Sequence, residues 1–526
     1  MEATRPRSHR VLDVSAGRPP NLLLIVADQL GAGWLPPYGH PVVQAPTVTA
    51  LARAGVVFEN AYCPSPLCAP SRAALLTGRL PSRTGVFDNA AELRASLPTI
   101  AHHLRAAGYA TSLAGKMHFV GPDQLHGFEE RLTTDIYPAD LGWTPDWRRP
   151  VEEPLPWYHT MESVLSPGVC SASMQLDYDD EVAFRAVRRI FDFARDATGD
   201  PFLLVVSFSN PHDPWEVRAR HWQLYDRNAI DAPAVPPIPP LEADPHSRRL
   251  RRMIGVDEAG LTDEQVRIAR HGYYAAISYV DERIGDLLAA LHDSGLYDET
   301  TVVFTADHGE MLGERGLWYK MSFFEPSARV PLIVTAPGRI APGRRAEPVS
   351  LLDLLPTLLE LAGSGPADEE LTGEMDGVSL GPLLDGRDAG RPAPVVGEYL
   401  AEGVTSPALM IRRGAHKFVS CEGDPDQLYD LSSDPLELVN LAERPAYAEL
   451  RSKFRAEVAD RWDTAELARR VLQSQRERRL VAEALGAGRS PKWDFQPYVD
   501  ASAQYVRDRD DLYGLQRRAR LDARGR

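Results

Sequence analysis

Two aspartates and a histidine of this 526-residue chain stand where short apolar runs end. Asp28 follows the run 22–27 directly, and Asp307-His308-Gly309 follows the run 301–305 after one small residue. If both runs are strands of one parallel sheet, two carboxylates and an imidazole leave the same sheet edge. Such a set of hard and borderline donors suits a divalent cation. Taken singly, an Asp at a strand end often only caps the next helix. Lys116 and His118 lie two apart in Gly-Lys-Met-His-Phe, after a strand-like stretch at 109–114. In extended chain that spacing puts both on one face, where the ammonium could hold an anionic oxygen while the imidazole moves a proton. His212, in Ser-Asn-Pro-His-Asp-Pro-Trp, follows the apolar run 202–207, and an imidazole can donate a proton near neutral pH. Cys68 opens Cys-Ala-Pro-Ser-Arg. A lone Cys of this kind reads by itself as a small buried hydrophobe.

The elements that must hold these groups alternate. The runs 22–27, 202–207, 301–305 and 332–335 have the length and β-branched content of buried strands, and helical patterns cover 98–107, 181–194, 264–292 and 351–361. That order predicts an α/β fold with a mainly parallel central sheet flanked by helices on both faces, and functional groups collected where strands end. The Pro-rich stretch 232–240 reads as a surface excursion. A boundary is expected in the Gly/Asp/Pro-rich region 385–394, since short strands at 408–411, 416–421 and 427–431 follow it. The expected organisation is a disordered lead-in at 1–20, a catalytic α/β domain at 21–390, a smaller C-terminal α+β domain at 391–490 and a charged tail at 491–526.

A formal net charge of -16 repels phosphate backbones and anionic headgroups, so nucleic acid is not an expected partner. Four cysteines (Cys63, Cys68, Cys170, Cys421) are too sparse for a disulfide framework and lack zinc spacing, which fits a reducing compartment. The first twenty residues carry no apolar core of a secretory signal, and no apolar run approaches the length of a membrane span. A cytoplasmic protein without a membrane partner is expected.

The longer run 67–79, Leu-Cys-Ala-Pro-Ser-Arg-Ala-Ala-Leu-Leu-Thr-Gly-Arg, resembles the sulfatase signature. The resemblance implies an alkaline-phosphatase-like fold. It also implies that a formylglycine-generating enzyme oxidises Cys68 to Cα-formylglycine, whose hydrated aldehyde supplies a nucleophilic oxygen held by Arg72. Asp28, Asp307, His308 and the group at 68 match the family's metal site. Lys116 and His118 match its Gly-Lys-x-His element, and His212 its Pro-His element, as general acid for the leaving alcohol. Lys320, in Leu-Trp-Tyr-Lys-Met-Ser-Phe-Phe-Glu-Pro, stands where the family carries a second active-site lysine. Two departures shift the metal expectation. Gln29 replaces a usual second Asp and His308 a frequent Asn, which moves the preference from calcium toward manganese with both ions left open.

These choices are similar to the choline-sulfatase and phosphonate monoester hydrolase branch, and the segments 115–140, 142–147 and 304–326 resemble choline-sulfatases throughout. The implied substrate is a small zwitterionic or anionic sulfate ester, choline sulfate first. A quaternary ammonium offers no N–H to hydrogen-bond, so its pocket needs aromatic faces and carboxylates. Trp143 is the matching aromatic and Glu398 the expected carboxylate. In choline-sulfatases a tail like that at 505–520 reaches a neighbouring protomer, which implies a homo-oligomer, dimer or tetramer, with Asp511 near the ammonium. Asn210 and Thr160 depart from that branch and leave fine specificity open. The implied reaction is attack on sulfur by the hydrated aldehyde, with Lys116, Lys320 and His212 stabilising the transferring group and the leaving oxygen. C–O cleavage then releases sulfate, with His118 as base. Two alternatives stay open: a phosphonate monoester or phosphodiester hydrolase using the same nucleophile, and a noncatalytic ligand-binding relative in which Cys68 remains a thiol.

Overall fold

The computed structural model describes residues 18–149, 153, 159–364, 375–387 and 393–487. Three strands form the middle of its main sheet, Thr300–Ala306, Asn21–Ala27 and Phe202–Phe208, each buried at every position. Helices cover both faces of such strands, so they read as near-continuous apolar runs. They pair in parallel, with Leu24 opposite Val205 on one side and Val303 on the other. Ala110–Gly115 and Glu130–Arg131 extend the sheet in parallel beyond Phe202–Phe208.

On the other side Leu332–Thr335 lies antiparallel to Thr300–Ala306, and Val56–Tyr62 and Gly343–Ser350 complete that edge. The reversal has a local cause. Residues 307–331 hold short helical turns and one two-residue strand, not the long crossover helix that a parallel return needs. They fold over the strand ends, and that places Lys320 beside Gln29 and His212. Short Arg329–Val330 also pairs with Val56–Tyr62. The sheet is therefore mixed, with most strands parallel.

Asp263–Ser294 and Met174–Arg195 are the longest helices on one face. Thr262 and Gln265 form a capping box at the start of the first, and Gly295 ends it in a left-handed conformation (φ 71°). The second begins at Met174 rather than near 181 because Ser173 caps it, accepting from the Leu176 amide. Its buried Asp179 accepts from the Ser209 and Asn210 amides, tying the helix to the end of Phe202–Phe208.

A second sheet follows the Gly/Asp/Pro-rich stretch. Val395–Tyr399, Ala408–Arg413, His416–Cys421 and Gln427–Asp430 form an antiparallel meander. Helix Ala448–Arg461 packs on it, with Phe418 and Phe454 stacked at 5.3 Å. The last described helix, Thr464–Gly486, returns to the main domain. Its Arg478 pairs through both terminal nitrogens with Asp88 at 2.6 Å and donates to Thr144 Oγ1, while Gln475 Oε1 accepts from the Trp147 amide. The lead-in 1–17 and the tail from 488 onward lie outside the described residues. Among the described residues no helix is long and apolar enough to cross a membrane.

Candidate active site

The paired strands Asn21–Ala27 and Thr300–Ala306 end side by side, Ala27 opposite Ala306, so Asp28 and Asp307-His308 emerge together. Helix Cys68–Thr77 points its first residue at them. Cys68 Sγ lies 3.2 Å from His308 Nε2 and 3.9 Å from Asp28 Oδ1, and His308 Nε2 lies 3.7 Å from carboxylate oxygens of both aspartates. One turn along the helix, Arg72 Nε donates to Asp307 Oδ2 at 2.8 Å and its Nη1 to the Lys116 carbonyl and Ser207 Oγ. Ser71 Oγ donates to the Asp307 carbonyl. Ser71 and Arg72 thus lock the helix start to the strand ends, and Arg72 does so from a fully buried position outside the cavity wall.

Charge is concentrated here. Lys116 Nζ donates to Asp28 and lies 4.0 Å over the Tyr137 ring. Lys320 Nζ donates to Gln29 Oε1 and meets His212 Nε2 at 2.8 Å. Burial disfavours a thiolate at Cys68, but Lys116, Lys320 and His308 outweigh it and hold the thiol well below its ordinary range. The helix start adds its positive dipole end. Burial also opposes ionisation of Asp307, yet Arg72 draws it down to about 2. Asp28 moves up instead, through burial and the Asp307 charge beside it. Two crowded carboxylates, an imidazole and the group at 68, with donor atoms within 4.8 Å of one another, are a donor set that a divalent cation fits.

The backbone around these groups is unusual. Gln29, His118, Tyr319 and Met321 all have positive φ, at 63°, 57°, 66° and 74°, and such residues cluster where a site over-determines its chain. His118 corrects one expectation. The strand ends at Gly115 (φ 101°), where a Cβ would meet the Ser207 carbonyl oxygen at 1.9 Å. Lys116 and His118 therefore do not share a strand face. They still converge: Lys116 turns to Asp28 beneath the Tyr137 ring, and His118 packs against the Tyr137 and Trp143 rings at 5.6 and 6.0 Å, so both reach the Cys68 side chain. Gln29 faces Lys320, and its Nε2 donates to Glu310 Oε2 at 2.6 Å and Asp213 Oδ1 at 3.3 Å.

A cavity of about 420 Å³ opens over Cys68, Lys320 and His212, with Tyr137 and Trp143 in its wall. Asn89, His159, Glu162, Asp213 and Glu216 also line it, and no sequence motif of their own marks them as site residues. Asp213 adjoins His212 in the motif and was the most findable; Asn89, which accepts from the Ala69 amide, carries no local signal. His159 stacks on Tyr319 at 4.3 Å, and burial with Lys320 nearby lowers it to about 4, so it presents a neutral imidazole. Glu398 is the second correction. It does not line this cavity: its carboxylate is fully buried and accepts from the Ser82 amide and hydroxyl and from Trp462 Nε1 at 2.6 to 2.7 Å. Those three donors need the carboxylate where the two domains meet. Asp511 lies outside the described residues.

Comparison with known proteins decides what this geometry belongs to. A family model described as "Sulfatase" matches residues 20–364. The chain belongs to the sulfatase family. Sulfatase-family membership makes it a sulfuric ester hydrolase of the alkaline phosphatase superfamily. Two further sulfatase-related models match its C-terminal part, "N-sulphoglucosamine sulphohydrolase, C-terminal" at 313–463 and "Choline sulfatase enzyme C terminal" at 469–521. A choline-sulfatase of Rhizobium meliloti (strain 1021) is 49% identical over 504 residues, covering 94% of this chain and 97% of that protein. An arylsulfatase of Clostridium perfringens is 28% identical, covering 82% and 92% respectively. Among solved structures, the phosphonate monoester hydrolase of Agrobacterium radiobacter superposes with a TM-score of 0.67 at 25% identity, covering 84% of this chain and 95% of that one.

Proposed function

We propose that this sulfatase-family enzyme hydrolyses choline sulfate to choline and sulfate. The observation that carries the reading is Trp143, whose indole lines the cavity that opens over Cys68, beside Tyr137 at 5.6 Å. A trimethylammonium group bound there meets aromatic faces, while its sulfate meets Lys116, Lys320 and the group at 68. The 49% identity to a protein named choline-sulfatase supports the same substrate.

The Cys68 thiol stands here for the hydroxyl of hydrated formylglycine, which supplies the attacking oxygen once the maturation enzyme has oxidised the residue. A divalent cation, calcium or manganese, held by Asp28, Asp307, His308 and that group would draw charge from the bound sulfate and acidify the attacking hydroxyl. Arg72 keeps Asp307 ionised and oriented. Lys116 and Lys320 offset the sulfate charge, and His212 delivers a proton to the departing alcohol oxygen. His118, on the Tyr137 side, takes up the proton released when sulfate leaves. We place the protein in the cytoplasm as a homo-oligomer.

Trp143→Ala tests the cage. If the ammonium rests desolvated on the indole face, kcat/KM for choline sulfate falls by about 1–2 kcal/mol, and an aryl sulfate without a cation loses much less. Equal losses would assign Trp143 to packing. Glu398→Ala is expected to do the reverse. It strands three donors, one of them the buried Trp462 indole, and lowers stability by about 2–4 kcal/mol, read as a fall in Tm, while the ratio of choline sulfate to aryl sulfate turnover stays at the wild-type value. The likeness to a phosphonate monoester hydrolase fold favours a second reading, hydrolysis of phosphonate monoesters or phosphodiesters at the same site. Parallel assays decide between them: faster turnover of a phosphonate ester than of choline sulfate would replace the first reading.

A further inference from the structure

The Asp213 carboxylate lies outside the four-donor cluster, yet it stands between two imidazoles in the cavity wall. His212 Nδ1 lies 2.8 Å from the Asp213 main-chain carbonyl oxygen and 3.1 Å from Asp213 Oδ1, with the Tyr137 hydroxyl also at 3.1 Å. Across the ring, His212 Nε2 meets Lys320 Nζ at 2.8 Å. An ammonium can only donate, so Nε2 offers its lone pair to Lys320 and the ring proton resides on Nδ1, facing the Asp213 oxygens. The carboxylate is itself held from several sides. Oδ1 accepts from Gln29 Nε2 at 3.3 Å, Oδ2 lies 3.7 Å from His159 Nδ1, and the Asp213 carbonyl accepts from Gln175 Nε2 at 2.6 Å. His159, His212 and Asp213 converge closely enough to ligate a cation. Lys320 already supplies the positive charge there, so the arrangement serves a proton better than a second metal.

We propose that Asp213 is a positioning residue for leaving-group protonation: its carboxylate fixes the His212 tautomer and stabilises the positive charge shared by His212 and Lys320. As the bond from sulfur to the alcohol oxygen breaks, its electron pair stays on that oxygen. Lys320 Nζ passes its proton to His212 Nε2, His212 hands that proton to the oxygen, and the pair, now neutral, is reprotonated from water. A carboxylate that orients an imidazole in this way also excludes the tautomer in which Nδ1 lacks its proton. The inference rests on the sulfate ester reading and adds a residue to it.

The need for a proton grows with the basicity of the departing oxygen, so a leaving-group series isolates this role. In the full-length enzyme, Asp213→Asn is expected to cut choline sulfate turnover by about 100-fold or more, and 4-nitrophenyl sulfate turnover by about 3-fold or less. In a His212→Gln background the same substitution should change either rate by less than about 3-fold, because the group it orients is gone. If Asp213→Asn lowers Tm, Asp213→Glu gives the comparison with the charge retained and should keep the wild-type leaving-group dependence. Equal losses on both esters, or an undiminished Asp213 effect without His212, would overturn the assignment. Wild-type protein inert toward every sulfate ester would overturn the activity itself, and the role of Asp213 with it.

Discussion

Cys68→Ser protein folds and loses multiple turnover, with kcat down by on the order of 10⁴-fold or more when a nucleophile of this kind is removed. The serine hydroxyl fits the same buried place at the helix start, so Tm should stay close to that of wild type. What it lacks is the second hydroxyl of a hydrated aldehyde, and Lys116, Lys320 and His308 surround the position with charge suited to an anion. Mass analysis of the peptide containing residue 68 accompanies the assay, since thiol, hydroxyl and aldehyde differ in mass. A Cys68→Ser sample free of aldehyde that keeps most of the wild-type rate would remove residue 68 from the chemistry.

Asp307→Ala has two separable effects. Loss of a donor between His308 and Asp28 should weaken metal binding by at least about 100-fold, and turnover should fall with it. The same change leaves the buried Arg72 guanidinium without its 2.8 Å partner, and stripping one member of a buried ion pair costs about 3–5 kcal/mol. Asp307→Asn keeps the shape and part of the hydrogen bonding, so it separates the two. Elemental analysis, Tm and kcat are measured on both variants. Full metal occupancy in folded Asp307→Asn would take Asp307 out of the ligand set.

The centre of the fold is legible in the chain because its three middle strands are buried on both faces and cannot tolerate polar interruptions. The edge is not. Gly343–Ser350 reads Gly-Arg-Arg-Ala-Glu-Pro-Val-Ser, and only an edge strand with a register shift between Arg345 and Pro348 accommodates that proline. Val56–Tyr62 hides its strand character behind Glu59 and Asn60, which are only half-buried. Charged groups at strand ends can be located directly, since the apolar runs before Asp28 and Asp307 end where their strands do. His118 cannot be placed by period-two spacing, because the strand ends at Gly115 and positive φ at Gly115 and His118, not a shared strand face, brings it and Lys116 to the same ring. Asn89 and His159 reach the cavity through loops that only tertiary packing brings in. Glu398 shows the converse: a carboxylate expected beside the ammonium turns out to satisfy donors at a domain junction.

The helix Thr464–Gly486 grips the cavity wall from outside. Through Arg478 it holds Asp88, the neighbour of Asn89, together with Thr144, the neighbour of Trp143; through Gln475 it holds Trp147. The groups around Cys68, by contrast, hang from the sheet. On the proposed reading of Trp143, reactivity and discrimination are thus anchored in different stretches of the polypeptide. Drift along the C-terminal helix can retune which alcohol is admitted without disturbing the strand ends, so new substrate preferences are open to this scaffold by changes far along the chain from its nucleophile.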